Sequence, residues 1–224
     1  MNDYRYEIKF ILNELSYSEA IHWLYLFTNL VNKYPDRYIN SIYIDNLEYD
    51  SIKANLAGIS DRVKNRLRWY DNISTVKLEK KIRNGRLSKK KAFQIETFNE
   101  LPNNLSTSKF RSIINDWLLT QSELGFEYYS TTLGVRYLRK YFEDQNGLRV
   151  TFDREIQFTD LYDDEICFSH SNRLVNYSPI IMEVKFDPSL KDYVNNLIRL
   201  LNMTPKRHSK YLVGMAHLEN IMYV

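Results

Sequence analysis

RVKNRLRWY, residues 62–70, alternates almost without a break: Arg62, Lys64, Arg66 and Arg68 fall on one side of an extended chain, and Val63, Leu67 and Trp69 fall on the other. Side chains of a strand point to opposite faces in turn, so the stretch predicts a strand with a cationic face backed by an apolar one. One such strand is ordinarily a solvated or protected edge, because Lys and Arg blunt exposed strands.

The pattern recurs, however. Glu7 and Lys9 alternate with Ile8 and Phe10, and Lys77, Glu79 and Lys81 with Val76 and Leu78. Arg149 and Asp153 flank Val150 and Phe152, while Glu183 and Lys185 flank Val184 and Phe186. A face selected only for solvation would mix in Ser, Thr, Asn and Gln. If about eight antiparallel strands close into a barrel, these charged faces converge on its interior. Unpaired buried charge costs several kcal/mol per group, so such an interior needs a counter-charge. A polyanion with closely spaced oxygens fits: Arg grips phosphate through two parallel hydrogen bonds and Lys supplies a compact charge. A carboxylate among the cations suits a divalent metal, and Mg²⁺ or Mn²⁺ takes oxygen ligands and bridges phosphates.

Around that stretch the chain reads as short strands at 4–12, 39–45, 74–82, 89–95, 135–142, 148–158, 165–169, 180–186 and 210–215. Asn84-Gly85 is a turn signal between two of them. Helices are predicted from Ser18 onward, with Ala20, Ile21, Leu24, Phe27 and Val31 at helical spacing before Pro35, and at 48–56, 109–119 and 190–201. The polar stretch 99–108, containing Pro102, reads as a loop. Short connections favour antiparallel pairing, and residues 1–224 read as one α+β domain without internal repeats.

Composition narrows the function classes. A formal charge of +3 is too small to argue for nucleic-acid binding by itself. The one cysteine, Cys167, and four scattered histidines supply no disulfide framework and no Cys- or His-based metal cluster. His22, His208 and His217 show no ligand spacing, and the acidic run 160–165 reads as a solvated turn. There is no P-loop, G-x-G-x-x-G, H-E-x-x-H or C-x-x-C motif. The longest apolar run, near 23–27, falls far short of the ~20 residues of a membrane span, and MNDYRYEIKF lacks the apolar stretch of a signal peptide. The expectation is a cytoplasmic protein.

Taken in order, RYEIKF (5–10), IYIDN (42–46), RVKNRLRWY (62–70), LEKKI (78–82), RYLRKYF (136–142), RVTFD (149–153), MEVKFD (182–187) and SKYLVG (209–214) resemble the VTC domain, with RLRWY and MEVKFD the most specific. This is the catalytic domain of the vacuolar transporter chaperone polyphosphate polymerase, in the triphosphate tunnel metalloenzyme superfamily. The resemblance covers nearly the whole chain. It implies an eight-stranded antiparallel β-barrel, the triphosphate tunnel, with helices packed on the outside, ATP or another nucleoside triphosphate bound inside, and metal-dependent phosphoryl transfer.

Carried over residue by residue, the resemblance places phosphate-binding cations at Lys9, Arg66, Arg68, Lys81, Lys90, Arg139, Arg149, Lys185 and Lys210, with Lys91 as the alternative to Lys90. The alternation favours Lys90, because Phe93 and Ile95 then lie on the outer face. It places the metal-binding carboxylate, for Mn²⁺ or Mg²⁺, at Glu183. Lys9, Arg66, Arg68, Lys81 and Glu183 form the implied catalytic set. Tyr43 and Tyr137 are candidates for phosphate contacts or simple lining, and Asp153 for pairing with an inward Arg or Lys. Arg62 and Lys64 either extend the lining or sit at its rim.

The hydrolytic branch of the superfamily carries E-x-E-x-K on its first strand, and here Arg5 stands in the first Glu position. The expectation is therefore a polymerase that moves the γ-phosphate of ATP to a growing inorganic polyphosphate chain, with a membrane partner needed for any export. The alternatives are a metal-dependent tri- or polyphosphatase, with Glu7 or Glu79 positioning water, and a non-catalytic polyphosphate- or nucleotide-binding module. A nucleic-acid partner is not expected.

Overall fold

The computed structural model describes residues 4–71, 75–95, 107–121, 128–160 and 174–218. The alternating stretches form strands β1 (Arg5–Leu12), β2 (Val31–Asn32), β3 (Arg37–Asn46), β4 (Arg62–Tyr70), β5 (Lys77–Asn84), β6 (Leu87–Gln94), β7 (Tyr129–Glu143), β8 (Arg149–Thr159), β9 (Leu174–Tyr177) and β10 (Ile180–Phe186). The helices are α1 (Glu14–Phe27), α2 (Asp50–Leu56), α3 (Thr107–Leu119), α4 (Lys191–Leu201) and α5 (Lys210–His217). Eight strands close in the order β7-β3-β4-β5-β6-β1-β10-β8 and back to β7, all antiparallel, with β2 and β9 as short additions.

Closure is weakest between β1 and β6, which meet only at Arg5–Ser88 and Tyr6–Leu87. Further along β1, the Lys206 backbone N–H donates to the Lys9 carbonyl at 2.9 Å, so the chain after α4 covers that seam. The β5–β6 turn forms at Gly85-Arg86, one residue past the predicted Asn84-Gly85 pair because Asn84 still pairs with Leu87, and Gly85 takes the positive φ of 56° that the signal calls for.

Apolar outer faces bury themselves under helices. Phe10, Phe152, Val184 and Phe186 pack against Trp23 and Leu24 of α1 and Val194 and Leu197 of α4, and Leu67, Trp69 and Leu78 pack beneath Ile114 and Leu118 of α3. A third cluster lies on the inner face, where Ile39, Leu133, Val135 and Ile181 surround Tyr211 and Met215 of α5.

Several sequence expectations are corrected. Helix α1 begins at Glu14, because the Asn13 side chain accepts from the Ser16 N–H. Ser18 lies one turn inside, where its hydroxyl donates to the Glu14 carbonyl, and Phe27 and Val31 are exposed while Trp23 takes the buried position. Residues 210–215 are helical, not a strand. Ser209 caps the start, accepting from the Leu212 N–H, and Tyr211, Met215 and Leu218 share one buried stripe. A Cβ on Gly214 would stand 2.6 Å from both Leu133 and Phe158, so glycine is what lets α5 lie against the barrel wall. Strand β8 is not one uninterrupted alternation: Glu155, at φ 50°, makes a bulge opposite Tyr137. Asp153 therefore faces inward before the bulge, and Ile156 and Phe158 join the inner cluster after it. The predicted strand 165–169, Cys167, nearly all of the acidic run and most of the loop 99–108 lie outside the described residues.

Candidate phosphate-binding cavity

The inner face encloses a cavity of about 690 Å³. Its walls carry fourteen Lys and Arg side chains and two carboxylates, Glu7 and Glu183. That is twelve net positive charges in one cavity of a chain whose total is +3, which leaves nine net negatives for everything else.

The inner cations are held by four carboxylates. Glu79 of β5 is 2% exposed and lies beneath its cross-strand partner Arg66, which approaches at 2.7 Å, with Arg68 at 3.5 Å and Lys90 at 2.7 Å. Burial alone would raise the Glu79 pKa, but Arg66 and Arg68 overcome it and keep the carboxyl ionised far below its ordinary range. Burial likewise disfavours the Arg66 charge, and Glu79 holds it firmly protonated. Arg68 also donates to the Tyr137 hydroxyl at 2.9 Å and to Ser41 at 3.3 Å, and Arg66 to the Tyr43 hydroxyl at 3.4 Å.

A second group runs from β5 to α5. Lys81 meets Glu7 at 2.7 Å, and Lys9 bridges Glu7 at 3.2 Å and Glu183 at 3.1 Å. Glu183 also meets Lys185 at 2.6 Å and Arg139 at 3.6 Å. Asp153, fully buried, receives two bonds from Arg139, at 2.5 and 2.7 Å, and one from Lys210 at 2.5 Å. Burial would raise both carboxyls, yet Glu183 is held well below the usual range by Lys185 and Lys9, and Asp153 is lowered by Arg139 and Lys210.

Seven cations of the lining, together with Lys90 outside it, thus surround four carboxylates, a net of four positive charges. Of the residues implied by the resemblance, Lys9, Arg66, Arg68, Lys81, Arg139, Glu183, Lys185 and Lys210 line the cavity. Lys90 does not, since its ammonium turns onto Glu79. Arg149 is also outside the lining, paired with Glu143 at 2.9 Å. Its strand position faces inward, but it lies at the start of β8, where Glu143 is its register partner. Glu79 is unsuited to positioning water, because three cations enclose it and it does not reach the cavity. Tyr43 and Tyr137 both line the wall.

The sequence reading passed over part of the lining. Arg83 and Arg207 join Arg62 and Lys64. His208 also lines the cavity, with both ring nitrogens buried and without a hydrogen-bond partner. Burial first, then Lys210 and Lys9, lower its pKa to about 3, so the ring is neutral. Its place beside Lys210 offers two readings from sequence, the mouth of the tunnel or a loop, and the ring lies in the cavity lining.

For a divalent ion, Glu183 with Glu7 beside it supplies ionised hard-oxygen donors facing the cavity. No group of three or more His, Cys, Asp or Glu side chains positioned to hold a metal occurs among the described residues. The donors fit an ion that takes one or two carboxylates and completes its shell with phosphate oxygens and water.

A closed antiparallel barrel with a cationic interior is the architecture of the triphosphate tunnel proteins, and solved structures agree. The chain is similar to HpAC1 from Hippeastrum (12% identity, TM-score 0.56, 95% of each chain), a protein described as having a dominant triphosphatase activity. It is also similar to PH1819 (13%, TM-score 0.55, 95% of this chain and 98% of that one) and PH1012 (12%, TM-score 0.51, 97% and 99%), both from Pyrococcus horikoshii. A search of the curated proteins returns no match. The family model of the VTC domain matches residues 4–219, and the chain belongs to that family. Among the described residues no helix is long and apolar enough to cross a membrane.

Proposed function

We propose that the chain catalyses metal-dependent phosphoryl transfer from a nucleoside triphosphate, with inorganic polyphosphate as the acceptor. Membership of the VTC family and the tunnel fold support chemistry on tri- or polyphosphate. The observation that carries the reading is the inner charge balance. Its four net positive charges match the roughly four negative charges of a nucleoside triphosphate, given one to two per phosphate group.

Arg66, Arg68 and Lys81 would bind the donor phosphates, with Glu79, Ser41 and Tyr137 fixing the guanidinium groups beforehand. Lys9, Arg139, Lys185 and Lys210 would hold the acceptor's terminal phosphate. Its oxygen attacks the γ-phosphorus, a new P–O bond forms, and the bond to the bridging oxygen of ADP breaks. The nucleophile is already ionised at neutral pH, so no side chain need act as a general base. Mg²⁺ or Mn²⁺ bound through Glu183 and phosphate oxygens would neutralise charge developing on the transferred group. The chain's own part is positioning and electrostatic stabilisation.

The test is incubation with ATP and Mn²⁺, with and without a phosphate primer, read by gel and phosphorus NMR. ADP and long phosphate chains are expected. Orthophosphate without chains would transfer the reading to a triphosphatase. Glu183→Gln should lower turnover by about 10²–10³-fold, on the scale of removing one preorganised contact to developing charge, and undiminished turnover would remove Glu183 from the site.

A further inference from the structure

The inner part of the cavity is matched in charge to one triphosphate, yet the cationic lining continues beyond it. Arg62 at the start of β4, Arg83 near the end of β5 and Arg207 before α5 come from three separate parts of the chain and line the same cavity. Among the described residues none of them has a carboxylate within 4.0 Å. Arg62 donates only to the Ile59 carbonyl and Arg83 to the Gly85 carbonyl. Arg62 and Arg83 face each other across β4 and β5, and partial burial and then the charges of Arg83 and Arg207 lower the Arg62 pKa. Lys64 joins this set to the interior. Its ammonium donates to Ser209 at 2.7 Å, and burial, then Lys9, Arg62 and Lys81, push its pKa well down. Mutually repelling cations, continuous with a phosphate-binding interior and lacking protein counter-charge, form a second place for an anion.

We propose that Arg62, Arg83 and Arg207 form an outer anion subsite that holds the stretch of a linear polyphosphate chain extending past the reacting phosphates. The inference rests on the polyphosphate reading above and names where the rest of the acceptor lies. Three guanidinium groups suit a chain with charged oxygens on every unit. A single-stranded nucleic acid would also want aromatic faces on which to stack its bases. Among the described residues the aromatic rings lining the cavity are Tyr43 and Tyr137, enclosed in the interior, Tyr6 and Phe186, which stack on each other at 5.5 Å, and His208, whose ring lies 5.6 Å from that of Tyr177.

The test is binding without metal, in EDTA, so that no turnover occurs. Affinities for tripolyphosphate, for a polyphosphate several times longer and for a single-stranded RNA of similar charge are compared between the wild type and the triple variant Arg62→Gln/Arg83→Gln/Arg207→Gln. The expected result is that the long-chain affinity of the variant falls at least about tenfold further than its tripolyphosphate affinity. Its salt slope for the long chain should flatten by about three units, one for each phosphate contact removed. Using the ratio of the two ligands cancels the advantage a long chain gains from its many binding registers. Arg→Lys at the three positions should restore most of the ratio, which a folding defect would not.

Equal loss for both ligands, or loss for neither, would overturn the subsite, and tighter binding of RNA than of polyphosphate would overturn the class of ligand. If the ratio behaves as expected while ATP yields no chains, the subsite stands and the polymerase reading falls.

Discussion

Arg66 and Arg83 lie on neighbouring strands and line the same cavity, but they live under opposite conditions. Arg66 rests on the buried carboxylate of Glu79 at 2.7 Å, while Arg83 meets a backbone carbonyl and the charge of Arg62. The contrast holds for the regions around them. Inside, Lys9, Lys81, Arg68, Arg139, Lys185 and Lys210 each have a carboxylate, whereas among the described residues Arg62, Lys64, Arg83 and Arg207 have none. The difference follows from solvent. A cation taken out of water must be paired or it destabilises the fold, so the interior carries its own counter-charges and sets its side chains before any ligand arrives. Around Arg62, Arg83 and Arg207 at the mouth, water and salt screen the repulsion and charge can be left unmatched to attract an anion, while Lys64, inside them, is desolvated and its pKa is pushed well down.

The largest expected effect is on stability. Glu79→Gln leaves Arg66, Arg68 and Lys90 facing one another beside a residue that is 2% exposed. Removing one partner of such a buried group should cost about 3–5 kcal/mol in urea unfolding. Arg83→Gln should stay within about 0.5 kcal/mol of the wild type, as surface changes usually do. Similar losses in the two variants would erase the distinction between the regions.

Acid sharpens the same contrast. Glu7, Glu79, Asp153 and Glu183 all have folded pKa values below their ordinary 4.5 or 3.8. The stability they contribute is therefore present above those ordinary values and is lost as pH falls through them toward the folded ones. The melting temperature should drop steeply between pH 5 and pH 3, and the triple mouth variant should drop in parallel with the wild type, because it keeps all four buried carboxylates and the cations paired with them. A shallower drop in the mouth variant would mean that the arginines there are coupled to the carboxylates after all.

Much of this was legible in the sequence, for a definite reason. Strict alternation in RVKNRLRWY and MEVKFD allows only a strand with a charged face, and repetition of that face on several strands required a closed interior. The cations paired inside were legible through the family pattern, but their partners less so. Glu79 read as a candidate for positioning water, because nothing in LEKKI says that its carboxylate is covered by Arg66, its partner on the next strand, and by Arg68 and Lys90. The α5 segment was misread because YLVGM is a short apolar run compatible with either strand or helix, and Gly214 acts through Leu133 and Phe158, which are distant in sequence. Arg149 was placed inside by its alternation, and that pattern could not show Glu143 waiting across the β7–β8 pair. Arg83 and Arg207 were passed over because an unmatched cation has no signature until its neighbours are seen to be cations as well.

The smallest effect concerns Lys81, which stands between the two regions. It has a carboxylate partner in Glu7, yet burial first, and then Lys9 and Lys185, bring its pKa down to about 8. The signs for folding and binding then oppose each other. The unfolded lysine, at its ordinary 10.5, binds a proton more tightly than the folded one, so raising the pH from 8 to 10 should favour the fold slightly. Over the same interval the empty cavity loses a cation that an anion needs, so tripolyphosphate affinity should decline by up to about tenfold per pH unit. Lys81→Arg keeps the charge, and it should flatten the affinity profile measured without metal between pH 7 and pH 9. A profile as steep as that of the wild type would assign the titration to Lys64, whose pKa is lowered by burial and by the cations around it without any carboxylate in contact. Lys64 and Lys81 face each other across β4 and β5, so the titrating group would then belong to the unmatched set, and the boundary on β4 between Lys64 and Arg66 would also be the limit of the pH-sensitive charge.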